Sequence, residues 1–172
     1  MNFNGNLLRR VVASLVLALG VAFANGAGAQ TVNFHIGFTG QVDCQSPIAL
    51  SNVPISADGT GQINGDGTGY ADLTQTAFVL STRIHFEGRL GRPTESPGGT
   101  ALARVSGKNS LRLMWNLPNN QFVVNIAVRG QNCSASFSSN LKSGKSQHTL
   151  FDGNIYHYCG KPRVESSSCQ VR

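Results

Sequence analysis

The chain has 172 residues, with 14 lysines and arginines against 8 acids, 4 histidines, 4 cysteines and 20 glycines. A length of this order is one domain. No stretch is long and apolar enough for a transmembrane helix, and the absence of a dense basic run argues against nucleic acid as a partner.

The first element is an export signal. Arg9 and Arg10 precede a thirteen-residue apolar run at 11–23, and Ala27 and Ala29 then supply the small-x-small pattern of a cleavage site. Residues 1–29 are therefore expected to be removed, leaving a single domain of residues 30–172 that begins at Gln30 in the periplasm or outside the cell. No cysteine follows the site to take a lipid.

From there on period-2 alternation dominates, which predicts an all-β antiparallel sandwich or barrel of roughly eight to ten strands. Val32, Phe34, Ile36 and Phe38 mark the first strand. Residues 56–69 read as an irregular stretch, residues 70–80 as a strand, and in 82–90 Ile84, Phe86 and Leu90 oppose Arg83, His85, Glu87 and Arg89. A second irregular stretch, 91–99, leads to a strand at 100–106. The clearest hairpin is 111–128, where Leu111, Leu113, Trp115 and Leu117 face Phe122, Val124, Ile126 and Val128. Pro118 cannot take the positive φ of a primed turn, so a four-residue loop at 118–121 is expected, with Leu117 opposite Phe122 and Trp115 opposite Val124. Further strands are predicted near 133–141, 146–151, 154–159 and 163–171.

Charge is unevenly distributed along the chain. Residues 30–82 contain no Lys or Arg and four acids, Asp43, Asp58, Asp66 and Asp72, whereas residues 83–172 carry twelve bases against Glu87, Glu95, Asp152 and Glu165. One implication is a basic surface for an anionic glycan, lipid or envelope protein. The other is that the two parts pack together and their charges interleave on one mixed surface.

An even number of cysteines in an exported chain implies disulfides that stabilise the domain. Of the three connectivities open to Cys44, Cys133, Cys159 and Cys169, Cys159–Cys169 with Cys44–Cys133 is favoured, because the short segment 160–168 holds Gly160 and Pro162 and can turn back.

Few motifs carry chemistry. The sequence DGTG occurs at 58–61 and again at 66–69; its oxygens are too few and wrongly spaced for Ca²⁺, so a pair of tight turns is expected. SNLKSGKS at 139–146 lacks the first glycine of a P-loop, and Asn132-Cys133-Ser134 is a sequon of no use in a bacterial chain. There is no GxSxG and no HExxH, which leaves no catalytic residue to name and leans away from an enzyme. No cofactor is implied. Phe151-Asp152-Gly153-Asn154 predicts a type I′ turn with Asp152-Gly153 as its loop, which would place His148 opposite His157 as a weak two-ligand metal site. The same turn puts Tyr156 and Tyr158 on one face, where they could stack on a sugar; with the exposed Arg83 and Arg89 they are the candidate binding residues.

Phe38-Thr39-Gly40-Gln41-Val42-Asp43-Cys44 resembles the start of a chaperone-usher fimbrial subunit, and the alternation over 31–38 is similar to that of a donor strand. The resemblance implies a surface-structural subunit. Four cysteines exceed the single bridge usual in that family, and the cysteine-bearing C-terminus is unlike a pilin's. The first reading is therefore a non-catalytic binding module for an anionic envelope component or protein partner, with a fimbrial subunit as the alternative and an envelope hydrolase third.

Overall fold

In a computed structural model, which describes residues 30–88 and 92–172, the alternation of the sequence is spent on two packed sheets and there is no helix among the described residues. The expected signal segment, and Arg89 and Leu90 of the strand expected at 82–90, lie outside the described residues. In β1 (Val32–Ser46) Phe34, Ile36, Phe38 and Val42 point inward and are buried. β2 (Leu50–Ile63), β3 (Gly69–Ala77) and β4 (Leu80–Glu87) follow as an antiparallel meander, burying Ala71, Leu73, Ile84 and Phe86 on the same face. The second sheet is a meander of β5 (Thr94–Ser96), β6 (Gly99–Ser106), β7 (Ser110–Asn116), β8 (Asn120–Arg129) and β9 (Asn132–Leu141). The chain then returns to the first sheet as β10 (His148–Asp152), β11 (Ile155–Cys159) and β12 (Arg163–Val171). We call the seven-stranded sheet A and the five-stranded sheet B.

The all-β expectation holds, with twelve strands among the described residues rather than eight to ten. Of the two additional strands, β5 and the second half of β2 fall in the stretches expected to be irregular. β2 is hidden in sequence because glycine stands at inward positions where an apolar residue would announce a strand. A Cβ on Gly59 would lie 2.0 Å from the carbonyl oxygen of Asp72, and one on Gly61 would lie 2.4 Å from the Phe34 ring. The first DGTG is thus strand; only the second forms a turn, with Gly67 at φ 86°.

The hairpin of β7 and β8 pairs Trp115 with Phe122 and Leu113 with Val124, two residues tighter than expected. Leu117 donates its N–H to Asn120 O at 2.9 Å, leaving Pro118-Asn119 as the loop. Neither residue has a positive φ. The Leu117 carbonyl accepts a hydrogen bond from Lys142 Nζ. A shift of two preserves parity, so Leu111, Leu113, Trp115, Phe122, Val124 and Ile126 all remain buried. Fully burying a side chain of this kind contributes roughly 1.5–3 kcal/mol, and these residues form the floor on which sheet A rests.

All four cysteines are bridged, but as Cys44–Cys159 and Cys133–Cys169. The expected Cys159–Cys169 pair is excluded by topology. β11 and β12 run end to end along the same edge of β1: Cys159 stands opposite Cys44 and Cys169 opposite Ile36. Eight residues of extended strand separate those positions, ~26 Å at about 3.3 Å per residue. Cys169 is instead carried to β9 of sheet B, so one bridge closes sheet A and the other ties the two sheets together. Two disulfides suit an oxidising, extracytoplasmic compartment.

Candidate anion-binding site

Because side chains alternate across a strand, every inward residue of sheet B has an outward neighbour, and on β6 to β9 the outward set includes three arginines and no acid. Arg104 on β6 lies directly opposite Arg112 on β7; Arg112 lies opposite Asn125 on β8, and Asn125 opposite Ser136 on β9. The four form one row across the solvent face, and all four are exposed. The next row toward the β6–β7 turn is Ser106, Ser110, Ala127 and Ser134. Arg112, Asn125, Ser106, Ser110, Ser134 and Ser136 line a shallow depression there. Lys108 in the turn and Arg129 at the end of β8 add two further bases at this end of the face. Two guanidinium groups facing each other across strands repel, at a cost of a few tenths to about 1 kcal/mol. Neither is joined to a carboxylate by an ion pair among the described residues.

The sequence signal for this site is narrower than the division at residue 83. Residues 96–151 contain six bases and no acid at all, and they include β6 through β9. Glu95 is the acid of sheet B, and it stands in β5 opposite Thr100, at the other end of β6 from Arg104.

The acids fall elsewhere. Asp58 and Asp72 project from the outer face of sheet A, where His35 Nε2 lies 3.1 Å from Asp58 and His85 Nδ1 lies 2.7 Å from Asp72. Asp43 is held by Arg163 at 2.8 Å and accepts the Asn52 N–H at 2.7 Å. These contacts, the arginine first, lower the Asp43 pKa below its ordinary value. The charges interleave on sheet A, where Arg163 and Arg83 of the basic part share the outer face with Asp43, Asp58 and Asp72; on sheet B the strands β6 to β9 carry bases and no acid.

Of the residues expected to bind, Arg83 stands on the outer face of sheet A, opposite Thr74 of β3, on the other side of the molecule from Arg104. Tyr156 is exposed; its hydroxyl donates to Gly98 O at 3.0 Å and its ring packs 5.2 Å from that of Phe151. Tyr158 is half-buried opposite Thr149. Arg83 and the two tyrosines thus do not converge on one site.

The expected opposition of His148 and His157 is not formed. The β10–β11 loop is Gly153-Asn154, not Asp152-Gly153, so His148 faces Cys159 and His157 faces Leu150. Gly153 takes the positive φ, 65°, at the first loop position. Asp152 stays in the strand because its carboxylate is used inside: it accepts the Leu80 N–H at 3.2 Å and lies 3.7 Å from His157 Nε2. His157 stacks on Phe78, with ring centroids 3.9 Å apart. His148 is buried, and its Nδ1 shares a hydrogen bond of 2.7 Å with Ser139 Oγ, which in turn accepts one from Asn120. Burial, and secondarily Lys161, lowers the His148 pKa. The described residues hold no group of three or more His, Cys, Asp or Glu placed to bind a metal ion.

All but Thr31 of the segment that resembles a fimbrial donor strand lies in β1, paired with β2 from Val32 and with β12 from Phe34. No protein-family model, no curated protein and no solved structure matches the chain.

Proposed function

We propose that this chain is an extracytoplasmic, non-catalytic binding module that holds an anionic envelope component on the outer face of sheet B. The observation that carries the reading is the pairing of Arg104 with Arg112 on a face whose four long strands bear no acid. A phosphate or carboxylate seated between the two guanidinium groups would replace their repulsion by charge-assisted hydrogen bonds, for which the planar fork of arginine is suited. Asn125 and the serines of the adjoining rows supply neutral donors and acceptors for the glycan or lipid headgroup that bears the anion. The occupation of both edges of β1 within the chain favours this reading over a fimbrial subunit.

The test is binding of the purified protein to lipopolysaccharide, to peptidoglycan and to anionic lipid vesicles. Binding to at least one is expected at 0.1 M salt and should be largely lost at 1 M, as the Debye length falls from about 10 Å to about 3 Å. Arg104→Ala with Arg112→Ala should lower the affinity at least ~10-fold, in keeping with about 1.5–3 kcal/mol for hydrogen bonds to charged groups. Binding that ignores both salt and the double substitution would sink the proposal.

A further inference from the structure

The two sheets do not fill the space between them. Sheet A faces sheet B at this level with Leu73, Ile84 and the small Ala57, and sheet B replies with Leu113, Trp115 and Phe122; between them remains a cavity of about 60 Å³. A water molecule needs roughly 10–15 Å³ of such space, so the cavity takes several non-hydrogen atoms. Val164 of β12 also lines the cavity and is 42% exposed.

One polar group is aimed into this apolar space. Gln75 is an inward residue of β3 between Ala57 and Thr82, and it is nine-tenths buried. Its Oε1 and Nε2 are both buried and neither has a hydrogen-bond partner among the described residues. The neighbouring groups are spoken for: Trp115 Nε1 donates to Pro97 O at 3.1 Å, and Thr82 Oγ1 accepts the Gly153 N–H at 3.3 Å. Thr39 and Ser56 also line the cavity, but alternation turns their hydroxyls to the outer face of sheet A, where Thr39 meets Ser166 at 2.7 Å. A buried carboxamide with neither its acceptor nor its donors satisfied is costly, and a native fold that keeps one has a use for it.

We infer that the cavity is a second binding site, for a small neutral amphiphile whose short alkyl part fills the space between the sheets and whose amide or hydroxyl group pairs with Gln75. The unmet groups on Gln75 are one acceptor and one pair of donors, and a carboxamide head complements both at once. A charged head is disfavoured, because the lining offers no ion to pair with it and burying an isolated charge is prohibitive. This site is independent of the arginine face, from which sheet B separates it.

Trp115 is the single tryptophan of the chain and lines the cavity, so its emission reports occupancy. Hexanamide titrated into the purified protein should give a saturable change in Trp115 emission and raise the melting temperature, while hexanoate at pH 8 should do neither. Gln75→Leu, which removes the unmet carboxamide and is expected to fold, should weaken hexanamide at least ~10-fold, or about 1.4 kcal/mol. Ala57→Leu, which fills the space, should abolish the response. If hexanamide produces no saturable change up to its solubility limit, or binds Gln75→Leu as tightly as the parent, Gln75 merely holds water and the inference is overturned. Should Gln75→Leu not fold, equal binding of hexanamide and hexanoate by the parent would overturn it as well.

Discussion

The outer faces of sheets A and B are built on the same alternation and differ in how their charges are settled. On sheet A each of Asp43, Asp58 and Asp72 has a partner within 3.1 Å, namely Arg163, His35 and His85. On sheet B, Arg104 and Arg112 face each other with no ion-pair partner among the described residues. A face that satisfies its own charges gains little from a charged ligand, because the ligand must first displace what is there. A face whose charges repel each other gains twice, from the new contact and from the repulsion removed. That difference, rather than the net charge of the molecule, is what supports the proposal of a binding face on sheet B.

The comparison can be broken at the bridges, where the largest effects are expected. Cys44–Cys159 closes a span of 115 residues within sheet A, and Cys133–Cys169 closes one of 36 residues between the sheets. Loop-closure entropy gives about 5 kcal/mol for the first and about 4 kcal/mol for the second as upper estimates. Urea unfolding of the two double Cys→Ala variants should therefore rank Cys44/Cys159 as the less stable, and the reverse order would show that tying the sheets together matters more than chain entropy.

Reversing one charge sharpens it next. Arg104→Glu converts a like-charged cross-strand pair into an opposite one, so the free protein should become more stable by about 0.5–1 kcal/mol while its binding of polyanions falls at least ~10-fold. A surface substitution that stabilises the fold and removes function is the signature of a face kept for a ligand. Loss of both stability and binding would mean that Arg104 serves the fold.

The seam between the sheets, where His148 is buried beside Ser139, should show in the pH dependence. Burial lowers the folded pKa of His148 below its ordinary value of 6.5. The unfolded chain therefore takes up the proton first, so stability is full above about pH 6.5 and declines as the pH falls through the lowered folded value. His148→Gln should flatten the melting temperature between pH 6.5 and 5 relative to the parent; an unchanged slope would place the acid sensitivity elsewhere. At lower pH, protonation of Asp43 should loosen its contact with Arg163, since its pKa is lowered in the folded state.

The smallest effect is the control. Arg83→Ala, on the exposed outer face of sheet A, should change stability by less than about 0.5 kcal/mol and leave anion binding unaltered. A loss of binding there would extend the site around the edge of the sandwich and dissolve the contrast between the two faces.

The fold class and most of the strands were legible in the sequence because burial on one face of a strand writes itself as alternation, which needs no knowledge of partners. Phe34, Ile36 and Phe38 in β1 and the two apolar faces of β7 and β8 are of this kind. The charge layout was legible in part: residues 96–151 carry no acid, but only the pairing of β6 with β7 sets Arg104 against Arg112. What tertiary structure decided was everything that depends on how distant segments approach. β2 stayed hidden because Gly59 and Gly61 are demanded by the backbone of β3 and the ring of Phe34, and no local pattern records such a demand. The β10–β11 turn slipped by one residue because Asp152 is claimed by Leu80 and faces His157. The disulfides exchanged partners because β11 and β12 lie end to end on β1, a choice of edge that the spacing of cysteines along the chain cannot express. Gln75 has the same character: in sequence it is one polar residue in a strand, and only two sheets packed face to face leave it alone in an apolar cavity.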